Sequence, residues 1–360
     1  MRILVNTRLF KHKKTDGISR FMAEILPRLV RQRAGDEFIF LFDRPFSKKY
    51  TFDLNVKAVF FPLPTINSRT IEFWFDYVLP LFVRYYRPHI VFSPDGFIHQ
   101  KVGQERLINT VHDVNFLSNP QWIPMKFRKF YTSTVPRYIR SSDTIITVSH
   151  FSKQEIIKFF PEKKDNICVV YNGLTKFHTT SLPSNIKIKL QKPFFLYAGS
   201  LHERKNISNT IKAFLQFNQS IGNKFLFVLA GKQFFEKTAL TYPDVMFIEN
   251  PSDDILAGLY QQCMALVNFS FYEGFGLPVI EAMQYNKPLL LSDIPVFREI
   301  TSGYAIFSDP YSIDSMKIGF EQIIQNEITS ALIKQYPAIL RNFDWDIAAQ
   351  KINKIFEHVK

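Results

Sequence analysis

Two cysteines in 360 residues, Cys168 and Cys263, build no disulfide framework and no metal-type spacing, which suits a reducing compartment. Glycine (13) and proline (20) are too sparse for a collagen-like or low-complexity chain, and a hydrophobic content of 46% excludes disorder. Long apolar runs are missing as well. The densest, YVLPLFV and PLLLSDIPV, fall far short of the roughly 20 residues a membrane helix needs. The opening MRILVNTRLFKHKK turns polar too soon for a signal peptide. A cytoplasmic globular protein is expected, and its length exceeds the usual single core, so two domains are expected. No solenoid-type repeat is visible.

What the second half of the chain lacks is an excess of charge. Residues 1–180 hold 28 Lys and Arg against 15 Asp and Glu, whereas residues 181–360 hold 17 against 17. A basic half beside a neutral half suggests one domain facing a polyanion, either nucleic acid or an anionic membrane. No recognised nucleic-acid module accompanies the charge, so nucleic acid is not expected as a partner. For the membrane, KHKK (11–14), Arg20 and the aromatic, arginine-flanked RTIEFWFDYVLPLFVRYYR (69–87) are the candidate contacts; solvated surface is the bland account of the same charge.

Short β-rich runs ending in polar residues recur along the first half: RILVNT (2–7), FIFLFD (38–43), HIVFSP (89–94), RLINTVHD (106–113) and DTIITVSH (143–150), with helical spacing between several of them. Polar residues and a proline over 172–192 read as a linker. The pattern then restarts with PFFLYAGS (193–200), FLFVLAGK (225–232), VMFIEN (245–250), ALVNFS (265–270) and KPLLLSD (287–293). Alternation of this kind predicts α/β domains with parallel sheets, ligands binding at the carboxyl ends of the strands. The expected domains are 1–180, 190–340 and a terminal helix within 341–360. Asp344 or Asp346 of the D-W-D spelling caps that helix; the same spelling resembles the metal-binding Asp-x-Asp of a different class of sugar transferases, a weaker reading here because no strand in mid-domain precedes it.

The chemistry concentrates in SFYEGFGLPVIEAM (270–283), a loop between a strand and a helix with Pro278 in its first turn. Gly274 and Gly276 permit tight backbone, and the amides of Gly276, Leu277 and their neighbours at the helix start favour an anion. Three readings compete. The bland one is an ordinary turn, with Glu281 beside the helix dipole and Glu273 in solvent. A dinucleotide fingerprint fails at its third glycine, where Val279 stands. Taken together, two carboxylates flanking an anion loop suit a ligand carrying hydroxyls on either side of a diphosphate, a nucleotide sugar.

E-G-F-G-L-P-V-I-E-A-M resembles the Glu-x7-Glu signature of the family-four retaining glycosyltransferases (glycosyl transferases group 1), which have the GT-B fold of two Rossmann-like, doubly wound domains facing a central cleft. The resemblance implies that Glu281 binds the ribose and Glu273 the donor sugar. YAGSLHERKNI (197–207), with Gly199, resembles the family's Gly-x4-Arg-Lys-Asn segment, which makes Arg204 and Lys205 stabilisers of the departing diphosphate. As two surface cations opening a helix they would oppose its dipole. IENPSDDILAGLYQQC (248–263) resembles the segment beside the nucleotide base, with Asn250 as the contact and Asp253 and Asp254 as helix caps. TDGISRF (15–21) resembles the Gly-rich loop of the acceptor domain, retaining Gly17 but with Asp16 in place of the first glycine; TVHDVNF (110–116) supplies His112 near the reacting sugar, and SHFSKQEI (149–156) places Ser149 and Ser152 in a turn and a cap.

The implied catalytic residues are therefore Glu273, His112, Arg204 and Lys205. The implied donor-binding residues are Gly17, Gly199, Arg204, Lys205, Asn250, Glu273, Gly274, Phe275, Gly276, Leu277 and Glu281. No metal and no cofactor is implied; a GDP- or UDP-sugar is the co-substrate, mannose or glucose the default sugar. The acceptor implied is a glycan or lipid-linked sugar in polysaccharide or lipopolysaccharide assembly, on the cytoplasmic side and, in the membrane account, at its inner face. A nucleotide-sugar epimerase of the same fold and a non-catalytic binding protein are the alternatives. An epimerase would turn over donor without acceptor; in a binding protein, loss of either glutamate would alter binding alone.

Overall fold

The computed structural model describes residues 1–10, 17–47, 53–175, 182–187, 190–232 and 242–358. KHKK (11–14) and Asp16 lie outside the described residues. The chain forms two compact units, one of Met1–Gly173 with Asp344–Lys360, the other of Leu174–Phe343.

The first unit is built on seven strands: β1 (Arg2–Asn6), β2 (Glu37–Phe42), β3 (Val56–Phe60), β4 (Ile90–Ser93), β5 (Arg106–Thr110), β6 (Thr144–Thr147) and β7 (Ile167–Val169). They pair in parallel in the order β3-β2-β1-β4-β5-β6-β7. Because side chains alternate faces along a strand, Ile3 and Val5 enter one core and Leu4 the other. The first core also receives the helix Gly17–Gln32 and the terminal helix Trp345–Glu357, through Phe21, Trp345, Ile352 and Phe356. The opposite core receives the helical run from Ser68 to Tyr86, a π-helical turn at Trp74–Val78 joining two α-helical pieces, through Trp74, Phe75, Val78, Leu79 and Val83.

Asp344 does cap the terminal helix, its Oδ1 accepting from the amides of Asp346 at 2.6 Å and Ile347 at 3.2 Å, while Asp346 pairs with Arg28 at 2.8 Å. The D-W-D spelling is thus capping chemistry.

The second unit carries β8 (Phe194–Ala198), β9 (Leu226–Gly231), β10 (Val245–Glu249), β11 (Ala265–Asn268), β12 (Leu289–Ser292) and β13 (Ile306–Ser308) in the order β10-β9-β8-β11-β12-β13, again all parallel. Numbered from its own first strand this is 3-2-1-4-5-6, the Rossmann order, and the first six strands of the other unit repeat it. Strand order reverses between β8 and β11. Crevices for ligands form at such switch points.

Candidate active site

The loops leaving β8 and β11 lie side by side at this switch point and are joined by a set of polar contacts. The amide of Phe271 donates to the Arg204 carbonyl at 2.9 Å. In return Arg204 Nη1 donates to the Tyr272 carbonyl at 2.9 Å and to Glu273 Oε2 at 3.2 Å. Lys205 Nζ bonds Glu273 Oε1, and Ser270 Oγ lies 2.9 Å from the same oxygen. Both Lys205 and Glu273 are buried. Burial alone would push the Glu273 carboxyl up, but the charges of Lys205 and Arg204, helped by hydrogen bonds from Lys205 and Ser270, hold it down at about 2. Glu273 is therefore an internal anion between two cations. The bland expectations of a solvent-exposed Glu273 and of Arg204 and Lys205 as surface cations are corrected, because the short turn Glu203–Lys205 and the left-handed Asn206 (φ 57°) carry both cationic side chains to Glu273.

Two glycines here occupy positions that a side chain could not. A Cβ on Gly231, at the end of β9, would lie 1.7 Å from the Gly199 carbonyl oxygen, so only hydrogen fits there. Gly276 has φ 107°, where L residues are strained, and opens the helix Leu277–Gln284 without a side-chain cap. Glu281 is the fifth residue of that helix, past the first turn in which a dipole partner would sit. It is buried and accepts from the Tyr260 hydroxyl at 2.7 Å. Phe275 is buried and meets Phe343 edge-on at 5.7 Å, while Gly274 is also buried.

Asn250 follows the edge strand β10 with a left-handed backbone (φ 51°). Its amide donates to the Gly231 carbonyl at 2.9 Å and its side chain to Glu249 at 3.2 Å. Asp253 and Asp254 are not the caps expected of them. Ser252 caps that helix through the amide of Ile255, and the two aspartates fill the first turn, where they complement the dipole.

Sequence reasoning passed over four residues here. His202 is held down at about 4 by its burial, then by the charges of Arg204, Lys205 and Lys232, so it is neutral at pH 7. Lys232 follows β9, its carbonyl accepting from the amide of Leu201 at 2.9 Å. Tyr260 and Ser270 stand inside segments read for other residues, one two turns along a helix and the other opening the glutamate loop. Nothing in linear spacing ties either to its carboxylate.

In the first unit, His112 follows β5, with Nε2 2.9 Å from the Pro94 carbonyl and Phe21 edge-on to its ring at 5.2 Å. Phe21 lies one turn into the helix that exposed Gly17 begins, so the first turn of that helix and His112 are neighbours. Ser149 caps its helix through the amide of Ser152, and Ser152 Oγ donates to the His112 carbonyl at 3.1 Å. Linear spacing does not announce the buried polar knot beside β1 and β4. There Asn6 donates to Ser93 at 3.0 Å and to Asp95 at 2.9 Å, and Arg8 pairs with Asp95.

Among the described residues no three His, Cys, Asp or Glu side chains gather as metal ligands, and no helix is long and apolar enough to cross a membrane.

Residues 15–175 match Glycosyltransferase Family 4 and residues 179–338 match Glycosyl transferases group 1. The chain is 25% identical over 259 residues to O-antigen chain mannosyltransferase B of Escherichia coli, covering 68% of each chain. It is 28% identical over 252 residues to O-antigen chain mannosyltransferase RfbU of Salmonella typhimurium, covering 68% of this chain and 67% of the relative. Among solved structures, WaaG, a glycosyltransferase involved in lipopolysaccharide biosynthesis, superposes with TM-score 0.74 at 13% identity over 98% of this chain and 99% of its own. Anabaena HepE in complex with UDP-glucose superposes with TM-score 0.72 at 17% identity over 99% and 100%. Both likenesses are of fold, two Rossmann-like α/β domains of the GT-B type.

Proposed function

The chain belongs to the family-four, group-1 glycosyltransferases, and from that premise we propose that it moves a mannose-type hexose from a nucleotide diphosphate sugar to a glycan or lipid-linked acceptor in cell-surface polysaccharide assembly. The observation that carries this reading is the buried Glu273 with Arg204 and Lys205 at the β8/β11 switch point. Mannose and lipopolysaccharide are supported by the names of the O-antigen mannosyltransferases, and a uridine donor, the one of the two expected bases with such support, by the UDP-glucose bound to HepE.

In the proposed reaction the bond from the sugar's anomeric carbon to the diphosphate oxygen breaks, and the acceptor hydroxyl oxygen bonds that carbon on the same face. The hydroxyl proton passes to the departing phosphate oxygen, and because the new bond forms on the face the old one leaves, configuration is retained. Arg204 and Lys205 stabilise the leaving charge with fixed cations, a role a metal would otherwise fill, and need no reorganisation because Glu273 already holds Lys205 in place. Glu273 remains ionised beside the sugar ring, where it accepts from hydroxyls and favours positive charge developing at the anomeric carbon. Glu281 accepts from the ribose.

Thermal shift against GDP, UDP, ADP, TDP and CDP with chelator present tests the donor reading. One diphosphate at 100 times its Kd adds about 2.7 kcal/mol to stability. A shift with one nucleotide, lost in Glu281→Ala and in Arg204→Ala, is the expected result. No shift with any nucleotide would overturn it. Conversion of the nucleotide sugar with no acceptor present would instead identify an epimerase.

A further inference from the structure

The helical run Ser68–Tyr86 buries Trp74, Phe75, Val78, Leu79 and Val83, yet presents a second apolar face outward. Phe73, Tyr77, Leu81 and Tyr85 recur four residues apart and are 50%, 61%, 58% and 78% exposed. From Phe73 to Tyr85 the stripe runs about 18 Å. The acidic residues of the same run are turned away, Glu72 and Asp76 both binding Arg137 at 3.3 Å. One end of the stripe carries exposed Arg69. At the other end a recess of about 1000 Å³ is lined by Arg84, Arg87, His89, Lys101 and Arg106. Glu105, the acidic residue of its wall, points inward, accepting from the Val102 amide at 2.9 Å with His99 Nε2 3.2 Å away. Arg84, Arg87 and Arg106 make no ion pair among the described residues. Arg84 stands three residues beyond Leu81, so the recess and the stripe share one helix face. The recess opens where β4 and β5 begin, the end of the sheet opposite His112.

We propose that this face docks on an anionic bilayer: Phe73, Tyr77, Leu81 and Tyr85 enter the interface, and the Arg84–Lys101–Arg106 recess holds lipid headgroup phosphates. The chemistry of the face decides for a membrane. It is a convex helix rather than a groove, its two tyrosines join an apolar body to a polar tip suited to the boundary layer, and unpaired guanidiniums bracket it where phosphates would lie. The inference goes beyond sugar transfer and does not depend on it, since the face shares no residue with the switch point.

The test is co-sedimentation of the full chain with vesicles of phosphatidylcholine alone and of phosphatidylcholine with phosphatidylglycerol at three to one. Wild type pellets with the anionic vesicles and releases in high salt. Arg84→Gln with Arg106→Gln lowers partition by roughly fivefold per arginine. Tyr77→Ser, Leu81→Ser and Tyr85→Ser together abolish binding. Arg87 is left alone because its backbone is left-handed (φ 47°), and substitution there would report strain. Each variant keeps the wild-type melting temperature and nucleotide thermal shift, which separates loss of docking from loss of fold or of donor binding. Equal binding to both vesicles, unaltered binding by the serine variant, or a stripe-dependent dimer in place of vesicle binding would overturn the proposal.

Discussion

The amino-terminal half holds the surplus of positive charge, 28 cations against 15 anions, yet the balanced half, 17 against 17, holds the tighter convergence of cations around a ligand crevice. In the first unit Arg8 and Arg44, each two residues beyond the carboxyl end of a strand, are already paired with Asp95 and Asp43. Arg84, Arg87 and Arg106, which make no ion pair among the described residues, stand at the opposite end of the sheet, around the start of β4 and β5. In the second unit three cations, Arg204, Lys205 and Lys232, crowd His202, and the first two of them share Glu273 at the switch point. Net charge therefore reports which surface a domain offers to a polyanion. Topology decides where a small anion is bound, because strand ends and helix starts put a few charges into a low-dielectric crevice where each counts for more.

The sharpest way to break this contrast is Lys205→Ala. Removing one partner leaves Glu273 buried with less compensation, and a loss of about 3–5 kcal/mol is expected in denaturant unfolding. Pairing Lys205→Met with Glu273→Gln should recover most of that stability but none of the nucleotide thermal shift. A loss below about 1 kcal/mol would make the cluster equivalent to an exposed ion pair such as Arg140–Glu162 in the first unit. Acid gives the same information. Since Glu273 is held at about 2, its contribution is complete above the ordinary carboxyl value of 4.5 and disappears as pH falls towards 2.

A second effect, read as fold-change in affinity, sharpens the picture of His202. Its imidazole is held at about 4 in the free protein, so between pH 6.5 and 4 the unfolded chain binds more protons and the fold loses stability as pH falls. A diphosphate seated among Arg204, Lys205 and Lys232 would offset those charges and raise His202 again. Binding would then take up a proton, and affinity for a nucleotide sugar should rise from pH 7.5 to 5.5 by at most tenfold per pH unit. The nucleotide sugar is the right probe, because its diphosphate has no proton to gain in that range. Calorimetric titration of wild type beside His202→Gln checks this; equal slopes would remove His202 from the anion site.

How much of this the sequence disclosed follows from which interactions are local. The central strands announce themselves as apolar runs because both faces are covered; β3, β7 and β13 went unread. β7 and β13 have three residues each, β3 is half-exposed along its length, and all three are sheet edges. Glu273, Glu281, Arg204 and Lys205 were legible because each motif occupies one short continuous stretch of chain. The partners that define their state were not. Arg204 meets Glu273 across 69 residues and Tyr260 meets Glu281 across 21, and neither spacing has a period that a helix or strand would impose.

The smallest expected effect concerns that last pair. Glu273 is fixed by two cations, whereas Glu281, equally buried, takes a hydroxyl from Tyr260, whose ring stacks on Tyr285 at 5.8 Å. If Glu281 is the ribose acceptor, Tyr260 orients its carboxylate through that hydrogen bond. Tyr260→Phe keeps the ring and the stack and removes one hydrogen bond. It should cost about 1 kcal/mol of stability and weaken nucleotide binding several-fold, whereas Glu281→Gln, which keeps an acceptor oxygen and loses the charge, should weaken binding more than it weakens the fold. Comparing the two by melting temperature and nucleotide titration separates positioning from contact. If Tyr260→Phe lowers affinity as much as Glu281→Ala does, the tyrosine itself touches the nucleotide and the role assigned to Glu281 passes to the pair.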